Sequence, residues 1–172
     1  MTVVAGAYWV ICLVLVAAGA TKLLDPAALA GVLAALRFPL ATNAGSAARM
    51  ARLIGWVELL LGFAGLVAGG AVVAAVVAAA IAAAYAGFAV LLGAARRASL
   101  TSCGCFGSRS GPPSRLHLAI NLGSACVAVT AAAFGVPAVR EGLSGTPAVN
   151  ALVLLGVLSA TAGILFLETE HG

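Results

Sequence analysis

Residues 53–94 constrain this chain more than any other stretch. They form an apolar run with one charged residue, Glu58, broken only at Gly69-Gly70. A hydrocarbon core is crossed by ~20 apolar residues as a helix, so the run is too long for one passage. It predicts two membrane-spanning helices, at about 52–68 and 71–94, joined as a tight hairpin. Small residues crowd both arms, with Gly62, Gly65 and Ala68 set to face Ala74, Ala75, Ala78, Ala79 and Ala82. Such surfaces let helix backbones approach closely in lipid. Alanine is also simply abundant here, so composition alone is the competing explanation.

The rest of the chain extends the pattern. Apolar runs at about 3–20, 116–134 and 148–167 predict three further spans. The 172-residue chain is 63% hydrophobic and 8% charged, with a mean hydropathy of +1.17. Soluble domains carry about a quarter of their residues as charges, which excludes that class. No strand-length alternation of apolar and polar residues occurs, which argues against a membrane β-barrel. The expected fold is all-α: a polytopic membrane helix bundle with a four-helix core, a fifth transmembrane helix and a short interfacial helix. No polar stretch is long enough to bury a core of its own, so residues 1–172 read as a single integral membrane domain. The net charge of +4 lies mostly in loops, which suits topology and lipid headgroups, with no nucleic acid as partner.

Between the spans, Ala18-Gly19-Ala20 has the small residues of a signal-peptide cleavage site. No Lys or Arg precedes the first apolar run, however, and that run is long for a signal peptide, so it is read as an anchor. Tyr8 and Trp9 sit near its outer end, as interfacial or packing side chains. Pro26, with Asp25 as N-cap, suits the first turn of a short helix ended by Arg37-Phe38-Pro39. Residues 40–50 read as a polar linker. Arg96 and Arg97 close the third span, and residues 98–115 form a basic loop containing Cys103-Gly104-Cys105. Pro112-Pro113 forbids a helix there. A loop with Pro137, Arg140 and Glu141 precedes the last span, and 168–172 is an acidic tail.

Five crossings place alternate loops on opposite faces. Lys22, Asp25, Arg37, Arg49, Arg52, Arg96, Arg97, Cys103, Cys105, Arg109 and Arg115 share one end of the bundle, called side B. Side A receives Arg140 and Glu141. Glu58 lies six residues past Arg52, about 9 Å below side B at helical rise. An ionisable group at that depth is costly and faces a partner or a cavity. Lys22 and Arg52 are the candidate partners, in which case the pair is structural. His117 and Asn121, at i and i+4, share a face of the fourth span near the same end. His117 also reads as an interfacial anchor, and Asn121 as a hydrogen bond to a neighbouring helix. An acid, a histidine, an amide, a lysine and two thiols thus converge on one shallow layer.

Cys103 and Cys105, one glycine apart, can close a small strained disulfide, of the labile kind suited to exchange. Arg96, Arg97, Arg109 and Arg115 would favour their thiolates. Two other readings stay open. Cys103, Cys105, His117 and Glu58 could supply four ligands to zinc or cuprous copper, although the usual two-residue ligand spacing is missing. The thiols could also be inert within a structural turn. Cys12 and Cys126 fall at comparable mid-span depth and read as small core residues, with a redox relay to the loop as the alternative.

Three elements carry a family resemblance: Gly19-x-x-Lys22-Leu23-x-Asp25-Pro26 after the first span, Glu58-Leu59-Leu60-Leu61-Gly62 in the second, and Cys103-Gly104-Cys105-Phe106-Gly107 after the third. Together they resemble the methylamine utilisation protein MauE family, related to the DoxX-like membrane proteins, over about residues 5–165. The Cys-Gly-Cys-Phe-Gly element is the most specific part. The resemblance implies a multi-pass protein of the cell membrane that supports maturation of a disulfide-rich extracytoplasmic enzyme. In named members that client is the methylamine dehydrogenase β-subunit, matured beside a thioredoxin-like partner. The layout also resembles vitamin K epoxide reductase and DsbB-type bundles. It differs from them in having Cys-x-Cys and no loop cysteine pair, which argues against quinone-coupled oxidation. The sequence requires no cofactor; a quinone or a metal ion is what its residues leave open.

The expected activity is thiol–disulfide exchange at Cys103 and Cys105, one attacking and the other resolving. Glu58 or His117 would manage protons, Lys22 and the arginines would stabilise thiolate, and Asn121 would contact the partner. The rival is a non-catalytic membrane subunit that docks a partner through the basic side-B surface. Lys and Arg counts place side B in the cytoplasm, whereas the resemblance and the persistence of disulfides outside the cytosol place it outward. The outward placement is the one taken.

Overall fold

The structure is a computed structural model that describes residues 3–102, 104, 112–136, 138, 139, 143 and 147–170. Regular structure among them is entirely helical. In chain order the helices are α1 (Val3–Leu24), α2 (Ala27–Ala35), α3 (Ala44–Val67), α4 (Ala71–Arg97), α5 (Arg115–Phe134) and α6 (Pro147–Glu170). Helices α1, α3, α4 and α5 are long and apolar enough to cross a membrane, and α6 contains a shorter apolar segment, Val153–Phe166. The expected helical bundle is therefore what forms, with α2 as the short additional helix. Pro137, Arg140 and Glu141 of the predicted side-A loop lie outside the described residues.

Local chemistry sets most of the boundaries. α3 starts at Ala44, earlier than a polar linker over 40–50 would allow. The reason is a capping box: Asn43 Oδ1 accepts from the Ser46 N–H at 2.8 Å, and Ser46 Oγ accepts from the Asn43 N–H at 3.0 Å. Two of the orphan donors of the first turn are thereby satisfied. The short helix α2 forms where expected, but Pro26 and not Asp25 takes the N-cap position, with the Asp25 carboxylate accepting from the Ala27 N–H at 3.3 Å. It ends in a six-to-one bond from the Phe38 N–H to the Leu33 carbonyl, beside one from Arg37 to Ala34. α4 ends the same way, through Leu100 to Ala95 and Ser99 to Arg96. Both motifs need a left-handed residue after the helix, the place where glycine is usual. Arg37 and Ser99 occupy it here, each at φ 52°.

α1 is the axial helix. It packs most extensively on α3 and also touches α5 and α6, while α4 pairs chiefly with α5. Tyr8, Trp9, Cys12 and Leu15 lie in its buried core with Ile81, Tyr85 and Ala128 from α4 and α5. Tyr8 and Trp9 are thus packing residues and not an interfacial belt. The Tyr85 hydroxyl donates to the Ile11 carbonyl at 2.7 Å, tying α4 to α1.

The glycines of α3 pack mainly against α1, while Gly65 also faces the other arm of the hairpin, where a Cβ would stand 2.8 Å from Ile81 Cδ1. A Cβ on Gly62 would stand 2.6 Å from the Cys12 carbonyl oxygen, and one on Gly19 would stand 2.6 Å from that of Gly55. The opposite face of α3 presents Leu53, Trp56, Leu60, Phe63 and Val67 outward. Glycine and alanine inside with large apolar groups outside is the arrangement lipid permits, because burial away from water does not drive helix association there. α2 lies across the side-B end, with Leu29, Ala30 and Leu33 packed on Ala47 and Ala51 of α3.

Candidate functional site

The side-B layer is built around one buried ion pair. Lys22, near the end of α1, reaches Glu58 of α3 at 2.8 Å from Nζ to Oε1, and both side chains are 2% exposed. The choice between Lys22 and Arg52 as partner is decided by the close α1–α3 crossing. Gly19 and Gly55 bring the two backbones together one turn from Lys22, while Arg52 stays on the exposed face. The ammonium also reaches the Ala18 carbonyl at 3.5 Å and lies 5.1 Å from the centre of the Phe88 ring on α4. A cation over a ring face is attracted by the quadrupole, more strongly where water is excluded. Phe88 carries no mark in the sequence, because an aromatic residue in an apolar run is ordinary. Glu58 Oε2 is buried and has no hydrogen-bond partner among the described residues.

His117 and Asn121 occupy the same end, on the buried face of α5. Ser114 is the N-cap of that helix. Its hydroxyl accepts from the His117 N–H at 3.1 Å, and its own N–H donates to His117 Nδ1 at 3.4 Å. Ser114 was not among the residues expected from sequence, although the Ser114-x-x-His117 spacing could have marked it as a cap. Asn121 donates to the His117 carbonyl at 2.9 Å, so this amide group bonds back along its own helix. Arg96 and Arg97 sit in the last turn of α4, where positive charge suits the carbonyl end of a helix; Arg97 and Arg115 are exposed.

Cys103, Cys105 and Arg109 lie outside the described residues, but Gly104 between the two cysteines is described. It is buried at φ 68°. A Cβ there would stand 2.7 Å from Leu29 Cα and 2.9 Å from Leu29 N. The Gly104 backbone therefore seats directly on α2, and its N–H donates to Ser102 Oγ at 3.2 Å. No side chain fits between two backbones at that distance, and the positive φ independently favours glycine. Substitution of Gly104 by alanine is expected to lift the loop from α2. Alkylation of Cys103 and Cys105 by a water-soluble thiol reagent should then accelerate about tenfold, the equivalent of ~1.4 kcal/mol of lost seating, within the usual cost of a strained backbone site. An unchanged rate would mean that the seating does not control access.

The two mid-span cysteines do not pair. Cys12 is buried, with its Sγ and the Tyr8 hydroxyl both against Gly65, whereas Cys126 is on the exposed face of α5, and both are free thiols. The core expectation holds for Cys12 alone. Among the described residues no three His, Cys, Asp or Glu side chains converge as a metal site; the four-ligand set considered above includes two that are not described.

Four apolar helices able to span a bilayer, closed at one end by a buried Lys–Glu pair, define a multi-pass helical membrane protein. The family model described as methylamine utilisation protein MauE matches residues 1–136, and the chain belongs to that family. The match takes in α1 to α5 and the Cys-Gly-Cys loop, and α6 lies beyond it. No curated protein and no solved structure matches.

Proposed function

We propose that this MauE-family protein supports disulfide formation or maturation of an extracytoplasmic protein in the cell membrane, by thiol–disulfide exchange at Cys103 and Cys105. The observation that carries the reading is the seating of Gly104 on α2. It anchors the residue between the two cysteines to α2, which packs on Ala47 and Ala51 of α3, the helix that carries Glu58. A client thiolate attacks the Cys103–Cys105 disulfide, forming a mixed disulfide and releasing the second cysteine as thiolate. A second client thiolate then displaces the first cysteine, leaving a client disulfide and a reduced pair. Two electrons and two protons have passed from client to pair, and a thioredoxin-like partner in its disulfide form restores the pair by the same exchange.

Low thiol pKa speeds such reactions, and the basic loop with Arg96, Arg97, Arg109 and Arg115 favours thiolate. His117, two residues past the loop, is the imidazole assigned to proton handling. The proton-handling assignment of Glu58 and the thiolate-stabilising assignment of Lys22 fall on one ion pair, so they act through its shared charge. The side-B end faces outward in this reading. A methylamine dehydrogenase subunit is the client that the family name suggests.

The test is trapping. In cells carrying Cys103→Ser or Cys105→Ser, one variant is expected to accumulate a mixed disulfide that reductant releases, and the doubly substituted protein none. Impermeant thiol reagents should label the native pair in intact cells only after mild reduction. Labelling confined to opened cells, or a partner complex that survives double substitution, would replace exchange with docking at the basic surface.

A further inference from the structure

An open groove of about 550 Å³ lies between α4 and α5. Ala86, Ala89 and Gly93 of α4 form one wall, and Leu118 and Leu122 of α5 form the other. Val90 and Leu122 at its edges are exposed, so the groove opens toward the lipid. The charged residue that lines it is Arg97, in the last turn of α4, at the side-B end. Arg115, the first residue of α5, stands three positions before Leu118 and seven before Leu122. That spacing keeps it on the groove's own helix face, so both walls end in an arginine at the same rim.

Length and charge together select an occupant. From Arg97 to Ala86 is about 16 Å at helical rise. That is roughly half of a ~30 Å hydrocarbon core, the depth of one leaflet. α4 itself continues to Ala71. A partner helix would seat along the whole span, whereas an acyl chain with its headgroup at the interface fills only this half. Neither Arg97 nor Arg115 forms an ion pair among the described residues, where Glu58 is committed to Lys22. A second copy, docked by this face about a two-fold axis, would bring the same arginines against each other. A zwitterionic headgroup sets its own ammonium against them, and a diacylglycerol leaves them unused. An anionic phospholipid has none of these penalties, and its phosphate oxygens match the planar fork of a guanidinium.

We propose that the α4–α5 groove binds an anionic phospholipid of the side-B leaflet, with one acyl chain along Ala89, Gly93 and Leu122 and the phosphate at Arg97 and Arg115. Attraction of anionic lipid to basic residues at a membrane surface is general. The groove adds a seat for one chain, which ties headgroup preference to a single place on the bundle. Lipid binding there does not depend on exchange at Cys103 and Cys105.

The full-length protein in phosphatidylcholine vesicles would be photolabelled with trace phosphatidylglycerol, phosphatidylcholine or diacylglycerol, each bearing the same diazirine acyl chain. Adducts would be mapped by peptide mass spectrometry, with the exposed α3 face at Leu60 and Phe63 as the reference for bulk lipid. Phosphatidylglycerol is expected to label the groove walls about fivefold more than phosphatidylcholine, equivalent to ~1 kcal/mol, and diacylglycerol no more than phosphatidylcholine. Arg97→Gln combined with Arg115→Gln should bring the ratio to about one. Gly93→Leu should do the same with both arginines in place. A Cβ at Gly93 meets nothing within 4 Å, and leucine favours the helix, so this variant fills the groove without disturbing its walls. A ratio of one in the native protein would overturn the assignment. So would a fivefold preference kept by a folded Gly93→Leu protein, which would trace it to the basic rim alone. Protection of the groove from all three probes in a dimeric protein would give the face to a second copy instead. The comparison of lipids uses the native chain, so it decides the matter even where a variant does not fold.

Discussion

Lys22→Ala is expected to destabilise the bundle by about 3–5 kcal/mol, and Glu58→Ala by a similar amount, whereas Lys22→Met combined with Glu58→Leu should recover most of that loss. The reasoning is that two charges, each 2% exposed and 2.8 Å apart, have given up solvation that only the partner replaces. Removing one leaves the other buried without its principal counter-charge, which costs several kcal/mol, while replacing both with apolar groups of similar volume is often neutral or better. Lys22 keeps the Phe88 ring and the Ala18 carbonyl when Glu58 is removed, but neither carries a full negative charge. The measurement is the unfolding midpoint in mixed micelles, followed by the fluorescence of Trp9, which is 1% exposed in the α1 core. Additive losses in the double variant would show that the two side chains are stabilised by separate surroundings and not by each other.

Gly62→Ala and Gly19→Ala are each expected to cost about 1–3 kcal/mol, the usual cost of overpacking, while Gly123→Ala on α5 should be neutral or stabilising by up to about 1 kcal/mol. All three replace a helical glycine with the best helix former, so local propensity predicts one direction for all of them. Contact across the bundle reverses the sign at two. At Gly62 the new methyl would meet the Cys12 carbonyl at 2.6 Å, and at Gly19 it would meet the Gly55 carbonyl oxygen at 2.6 Å and the Leu59 nitrogen at 2.7 Å, all backbone atoms that cannot rotate away. At Gly123 nothing lies within 4 Å. Because Gly19 sits beside the Lys22–Glu58 contact, its variant should also weaken that pair. Gly19→Ala should therefore matter less in the background of the paired Lys22→Met and Glu58→Leu substitutions. The same unfolding assay reads all of these, and stabilisation by Gly62→Ala would refute the close α1–α3 crossing.

Much of the site was legible before any coordinates. A charged residue inside an apolar span must face a partner, and Glu58 does. The i, i+4 spacing of His117 and Asn121 placed both on one buried face. The unusual residue pattern of Cys103-Gly104-Cys105 marked the loop. What was not legible follows from what local sequence cannot encode. Asn121 was expected to bond across helices, yet its own helix offers the His117 carbonyl at lower conformational cost. Cys12 and Cys126 have similar depth, but rotation about the helix axis buries one and exposes the other. Phe88 and Leu29 became site residues only because α4 and α2 were brought over Lys22 and Gly104.

The sequence by itself determined the four helices long and apolar enough to span a membrane and the short helix after the first of them, whereas the expected fifth span is, among the described residues, only the shorter apolar segment Val153–Phe166. The four spans and the short helix are properties of apolar run length and caps, each set by residues close together in the chain. Only the tertiary structure decided that α1 is axial, that Gly62 packs on it while Gly65 meets both α1 and Ile81 of α4, and that Lys22 is the partner of Glu58. In lipid, any stripe of small residues can serve any neighbour, because association rests on shape and hydrogen bonding. The choice among neighbours is therefore made by where backbones fit within van der Waals contact, a non-local condition that Gly19, Gly55 and Gly62 meet with α1 and α3 together.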